Sequence, residues 1–147
     1  MILDSQETFS SAQSLAVGTG DTASTNVLDT LTAQDEGLGS DVKVAVLVTT
    51  ALTSAGGATI QAVLQGSPDN ATWSDIESGP ALAYNAAGAA AGQYLLLTRI
   101  PPYSQTYRYL RVAYRVGTAA LTAGAATAFI AKDLQLNKTY GIGYTVL

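Results

Sequence analysis

The chain has no histidine and no cysteine among its 147 residues. Without imidazole or thiol, most nucleophile–base pairs, zinc sites and redox centres are excluded. An enzyme would have to work with carboxylates, Lys, Tyr, Ser or Thr alone. Charge is also scarce: Asp, Glu, Lys and Arg make up 12%, against roughly 25% in ordinary soluble domains. So little charge leaves little to hold neighbours apart, and points to a surface partly covered by a partner. Basic residues are missing altogether from residues 1–42, which hold seven acids: Asp4, Glu7, Asp21, Asp29, Asp35, Glu36 and Asp41. Residues 43–147 hold seven bases and four acids. Either these N-terminal acids sit in solvated turns, or the N-terminal third faces a basic surface on its own subunits or on another protein. No basic run is present to neutralise phosphates, so nucleic acid is not expected as a partner. No membrane span is expected either. The uncharged stretch from Val44 to Pro68 is broken by Thr, Ser, Gln and the pair Gly56-Gly57. Residues 1–20 lack a basic n-region and an apolar stretch, so no secretory signal is expected and the chain should be made in the cytoplasm.

What is present is alternation. Val42–Thr49 places Val42, Val44, Val46 and Val48 on one face of a strand, all β-branched. Ala58–Gln65 alternates too, with Ile60 and Leu64 on one face and Thr59, Gln61 and Gln65 on the other. The intervening Thr53-Ser54-Ala55-Gly56-Gly57 can reverse the chain, which predicts a hairpin. Ser67-Pro68-Asp69-Asn70 is a turn signal. A strand is expected at Thr72–Ile76, with Trp73 covering one end of the core. Further strands are expected at Gln93–Ile100, Tyr107–Val116 and Ala125–Leu134, and weaker ones at Ser14–Val17, Asn26–Thr30, Pro80–Tyr84 and Thr139–Val146. Over Tyr107–Val116, Leu110, Val112, Tyr114 and Val116 point one way; Tyr109, Arg111, Ala113 and Arg115 point the other. Nothing has a 3.6-residue period, and Gly88 and Gly92 make Ala86–Gly92 a loop. The fold predicted is all-β, a jelly roll or β-sandwich of about eight strands with extended N- and C-terminal arms. One domain spans 1–147, with an arm at 1–10, a sandwich core at 11–131 and a second arm at 132–147.

Few residues offer chemistry. Asp69, Asn70, Asp75 and Glu77 cluster at a turn, but the calcium-loop pattern is absent and Asx turns account for them better. Asp35, Glu36 and Asp41 flank Gly37 and Gly39 in the same manner. No catalytic residue, metal site or cofactor is assigned. Two carboxylates could serve a glycosidase, but no pair stands out among eleven acids. The aromatics are more telling. Tyr103, Tyr107, Tyr109 and Tyr114 fall within twelve residues, in company with Arg99, Arg108, Arg111 and Arg115. Tyr and Arg offer large area with a polar tip and are enriched at interfaces. A solvated strand face, a partner interface and a sugar-stacking platform all fit this composition.

The order of pieces carries a resemblance. Met1-Ile2-Leu3-Asp4 is followed by Ser24-Thr25-Asn26-Val27-Leu28-Asp29, the valine strand, and Gly56-Gly57-Ala58-Thr59-Ile60. Then come Ser67-Pro68-Asp69-Asn70-Ala71-Thr72-Trp73, Arg99-Ile100-Pro101-Pro102, Arg108-Tyr109-Leu110-Arg111-Val112 and Leu121-Thr122-Ala123-Gly124-Ala125. The series resembles the jelly-roll capsid cement proteins of short-tailed bacteriophages, the type found on Bordetella phage heads. It runs from Met1 to about residue 131; the extension from Lys132 to Leu147 is longer than that family leads one to expect. Ile2, Leu3, Asn26, Trp73, Pro102, Tyr109, Leu110 and Arg111 are the shared residues. The resemblance implies a non-enzymatic structural protein on the virion surface that binds the mature head and clamps neighbouring subunits against packaged DNA. Its expected partners are the major capsid protein and itself, as a homodimer or, as second choice, a trimer. Ile2, Leu3, Asp4, Tyr103, Tyr107, Tyr109, Arg111 and Arg115 are the expected contact residues. The alternative is a carbohydrate-binding β-sandwich module stacking sugars on Trp73 or the tyrosines.

Overall fold

The computed structural model describes residues 5–32, 42–100, 107–132 and 134. Ten strands follow one another: β1 (Thr8–Ser14), β2 (Gly20–Ala23), β3 (Leu28–Asp29), β4 (Val42–Thr53), β5 (Thr59–Ser67), β6 (Ser74–Ser78), β7 (Leu82–Ala83), β8 (Tyr94–Arg99), β9 (Tyr109–Gly117) and β10 (Ala123–Lys132). The only helical pieces among the described residues are 3-10 turns at Ser5–Glu7 and Ala87–Ala89, the latter inside the expected loop. The strands form two antiparallel sheets. One has the order β1-β10-β4-β8; the other has the order β2-β9-β5-β6, with β3 also pairing β9 and β7 also pairing β5. The fold is a jelly-roll-like β-sandwich, as the alternation predicts.

The core lies between the sheets and is built from the alternate positions. Val44, Val46 and Val48 of β4 meet Ile60, Ala62 and Leu64 of β5, and Leu110, Val112, Tyr114 and Val116 of β9. Each aliphatic side chain withdrawn there contributes about 1.5–3 kcal/mol relative to exposure, which holds two sheets face to face without help from disulfides. The expected division of β9 into an inward apolar face and an outward Arg-bearing face is what the structure shows.

Three expectations need correction. First, β4 and β5 do not form a hairpin. They lie in different sheets, and their connection is a corner that crosses from one layer to the other. Each is an internal strand with two neighbours of its own: β10 and β8 for β4, β9 and β6 for β5. Placed across the core, both apolar faces are buried against each other. Ser54 holds the corner: its Oγ donates to the Ala120 carbonyl (2.8 Å) and accepts from the amides of Gly56 and Ala58. The hairpin of consecutive strands is instead β5–β6, turned at Ser67-Pro68-Asp69-Asn70.

Second, the sandwich begins at Thr8, inside the segment expected as an arm. Phe9 and Ser10 are each 1% exposed, and Thr8 and Ser10 pair with Phe129 and Ala128. The sequence hides this strand because Phe9 is its only large apolar side chain, and two register shifts with a left-handed Ala12 (φ 45°) break its alternation. Residues 1–4 lie outside the described residues, as does the C-terminal segment beyond Lys132 apart from Leu134. The expected strand at Thr139–Val146 falls there too. Third, β2 has no forerunner in the sequence reading, whereas the strand expected at Ser14–Val17 ends at Ser14.

Polar bonds join the two layers on the β1 side. The Tyr114 hydroxyl of β9 and the Ser10 hydroxyl of β1 lie 2.6 Å apart across the core, and Ser10 Oγ accepts from the Ala128 amide. Asn26 donates from its amide to the Phe9 carbonyl (2.8 Å) and from its side chain to the Thr8 carbonyl (2.9 Å).

Candidate functional site

The outward face of the β2-β9-β5-β6 sheet brings together residues far apart in sequence. The two-residue period of β9 turns Tyr109, Arg111, Ala113 and Arg115 outward. Register then sets their neighbours. Arg115 lies between Asp21 of β2 and Gln61 of β5. Ala113 lies between Ala23 and Val63. Arg111 faces Gln65, which in turn faces Asp75 of β6. Ala113 and Val63 are fully buried although they point away from the core, because the long polar side chains around them close into a lattice.

The lattice is continuous. Arg115 donates from Nε and Nη2 to the two carboxylate oxygens of Asp21, each at 2.8 Å, and from Nη2 to Asp75 Oδ2 at 3.0 Å. Gln65 donates to Asp75 Oδ1 (2.8 Å) and accepts from Arg111 Nε (2.9 Å). The Arg111 guanidinium stacks on the Trp73 ring at 4.0 Å. Trp73 therefore works on the outer face as a shelf for Arg111 and does not cover an end of the core as expected. At the end of the same sheet Arg108 grips Asp29 through two bonds of 2.7 and 2.8 Å and lies over Tyr109. Two acids of the N-terminal third thus face arginines of their own chain, so for Asp21 and Asp29 the expected basic surface is intramolecular.

Electrostatics single out one group. Arg115 holds the Asp21 carboxyl below its ordinary range, and Arg108 does the same to Asp29. Arg111 has no carboxylate partner among the described residues. Its Nε is committed to an amide oxygen, and its remaining N–H donors have no partner among them. Burial lowers its pKa from the usual arginine value, and the attraction of the Asp21 charge offsets only part of that. A planar guanidinium fixed by a ring below and an amide at its side, with its other donors unpaired among the described residues, suits a carboxylate approaching edge-on.

Of the expected contact residues, Tyr109, Arg111 and Arg115 come together on this face. Tyr107 precedes β9 and lays its ring against the Gly66 backbone, where even a methyl group would come within 2.5 Å of it. Ile2, Leu3, Asp4 and Tyr103 lie outside the described residues. Tyr114 belongs to the core, not to the aromatic surface. Asp21, Gln65 and Asp75 were not expected here. Only cross-strand register makes them neighbours, and no spacing along the chain signals it.

Other places offer less. The Asp69 carboxylate accepts from the amides of Ala71 and Thr72 and from the Ser67 hydroxyl, which pulls its pKa down to about 2. It is a turn residue. Among the described residues no group of three or more acids is placed to hold a metal ion. A shallow groove of about 410 Å³ beside β1 is lined by Ser5, Thr8, Ser10, Ser11, Thr25 and Asn26, with Phe9. It carries hydroxyls and an amide but no charge.

The sequence model of the Bbp16 family matches residues 9–130. The chain belongs to the Bbp16 family. This is a bacteriophage protein family, in keeping with the resemblance seen in the sequence, and the chain is a phage structural protein. No curated protein matches it in sequence. The Bbp16 match takes in nearly the whole sandwich and every member of the Asp21–Arg115–Asp75–Gln65–Arg111–Trp73 lattice. It stops at residue 130, two residues before the end of β10, so the C-terminal extension lies beyond it.

Proposed function

We propose that the protein is a capsid cement protein: it binds the outside of the mature phage head and clamps neighbouring capsid subunits against the pressure of packaged DNA, with no catalytic step and no cofactor. Its partner is the major capsid protein, and it works on the virion surface as a homodimer, with a trimer as the second arrangement. The observation that carries this reading is the braced outer face of the β2-β9-β5-β6 sheet. Its side chains are already locked to one another, so docking costs little rotamer entropy. Arg111 supplies the attractive contact, a fixed cation for an acidic group on the capsid, and Tyr109 and Arg115 flank it. Ile2, Leu3, Asp4 and Tyr103 complete the contact set. A stable site of this kind buries about 1,200–2,000 Å². A homo-oligomer engaging several subunits multiplies modest contacts by 10²–10⁴, an order-of-magnitude gain from effective concentration. Sugar stacking is less well served, because one face of Trp73 is occupied by Arg111.

The test is to add purified protein to heads that lack it and to follow the temperature at which DNA is released. A higher release temperature is expected. Confirmed binding with no change in that temperature would remove the clamp. Arg111→Glu should weaken binding about tenfold or more, equivalent to at least about 1.4 kcal/mol, and Arg111→Lys, which keeps the charge but not the planar fork, should weaken it less.

A further inference from the structure

The turn after β3 puts a leucine in a conformation made for glycine. Leu31 lies at φ 65°, a left-handed geometry that a bulky L side chain rarely adopts. Across it the Thr32 amide donates to the Thr30 carbonyl at 2.7 Å. A bond from residue i+2 back to residue i, closed around a central residue of positive φ, is the rare and strained form of the γ-turn. Glycine or asparagine at the centre would relieve the strain. The other non-glycine residues of positive φ among the described residues are Ala12, Asn70 and Thr118, none of them large and apolar. Leu31 is also the one large apolar side chain left exposed among the described residues, at 75%. A lone exposed leucine carries no message. One held outward against its own backbone preference does.

Its neighbours hold the turn in place. The Leu31 amide donates to Asp29 Oδ1 at 2.8 Å, and the same carboxylate is gripped by Arg108 through two bonds. The Thr30 amide donates to the Arg108 carbonyl at 3.0 Å. The Thr30 hydroxyl lies 2.9 Å from that carbonyl and 2.8 Å from the carbonyl of Thr32. These groups already have partners inside the chain, so covering the turn orphans none of them. Register sets Asp29 beside Tyr109, and the Arg108 guanidinium lies over the Tyr109 ring at 4.9 Å. The leucine therefore stands at the rim of the face that carries Tyr109 and Arg111.

We propose that Leu31 is a preformed apolar knob that seats in a leucine-sized apolar pocket on a capsid subunit. This rests on the cement reading and adds to it an anchor residue and the kind of pocket that receives it. Continuity with the Tyr109–Arg111 face is the reason to assign the capsid subunit and not a second copy. The polar groups around the knob are bonded to one another, so the pocket needs apolar lining and no matching charge. A turn already held in its bound geometry loses little freedom on docking, and a single well-seated side chain can carry much of the binding energy of an interface. The strained turn is what keeps Leu31 outward in the free protein.

The experiment uses the full chain and heads that lack it, and reads affinity for heads, melting temperature, and mass in solution by light scattering. Leu31→Asn suits the left-handed turn but removes the apolar side chain. Its binding to heads should be about tenfold or more weaker, by the same factor at low and high salt. Its melting temperature should stay level or rise, and its mass should not change. Leu31→Gly should behave alike, and Leu31→Met should keep most of the affinity. A fall in melting temperature for both the Asn and Gly variants would make Leu31 a packing residue and overturn the proposal. So would a loss of mass, which would assign the knob to a second copy. A Leu31→Asn protein that binds as tightly as the parent would remove the knob and leave the clamp standing, whereas a parent that does not bind heads removes both.

Discussion

Replacing Tyr114 by Phe removes one oxygen atom from the interior and tests how the two layers are joined. Tyr114 is fully buried, and its hydroxyl meets Ser10 Oγ at 2.6 Å. Without it, Ser10 keeps only the Ala128 amide as a partner in a buried site. The loss should cost about 1–2 kcal/mol at neutral pH, the usual penalty for orphaning a buried hydroxyl. A second effect has an opposite sense at high pH. Burial pushes the Tyr114 phenol from 10 up to about 12. The unfolded chain therefore releases this proton first, and stability that is complete below pH 10 is lost as pH rises toward 12. At about 1.36 kcal/mol per pH unit, the loss is about 2–3 kcal/mol. The Phe variant has no such proton. Urea unfolding followed by circular dichroism at pH 7, 9, 10, 11 and 12 should show the variant less stable at pH 7 and the gap closing above pH 10. The other tyrosines contribute to both proteins and cancel in the difference. Parallel pH profiles for the two proteins, or a variant as stable as the parent at pH 7, would refute the reasoning.

Gly79→Ala should destabilise by about 1–3 kcal/mol in chemical denaturation, since the new methyl group would run into the Leu95 carbonyl and neither backbone can yield cheaply. Asp69→Asn should move the acid-unfolding midpoint upward: the Asp69 carboxyl, held at about 2, supports the β5–β6 turn above pH 4 and ceases to do so as pH falls through 2. Asp21→Asn should cost no more than about 1 kcal/mol, because the Asp21–Arg115 pair is over a third exposed and Arg115 keeps Asp75; that difference should shrink in 1 M salt, measured by thermal melting. Binding to heads should weaken as salt rises if Arg111 meets a carboxylate, and a salt-independent affinity would leave apolar contact as the main term.

The sequence by itself determined the class of fold, the inward and outward faces of β4, β5 and β9, the turn at Ser67–Asn70, and the family. Each of these follows from what a side chain says about its own surroundings. Valines two apart mark a face, Pro-Asp-Asn marks a reversal, and a collinear series of short pieces marks descent. Which strand lies beside which was decided only in three dimensions. Alternation along β4 and β5 is the same whether the loop between them turns back within one sheet or crosses to the other. The crossing follows from both strands being internal, each needing two neighbours and an opposing apolar face. The lattice of Asp21, Arg115, Asp75, Gln65, Arg111 and Trp73 has the same origin. All its members but Trp73, which stands just before β6, are drawn from four strands by register, a relation between distant segments that periodicity along one of them does not encode.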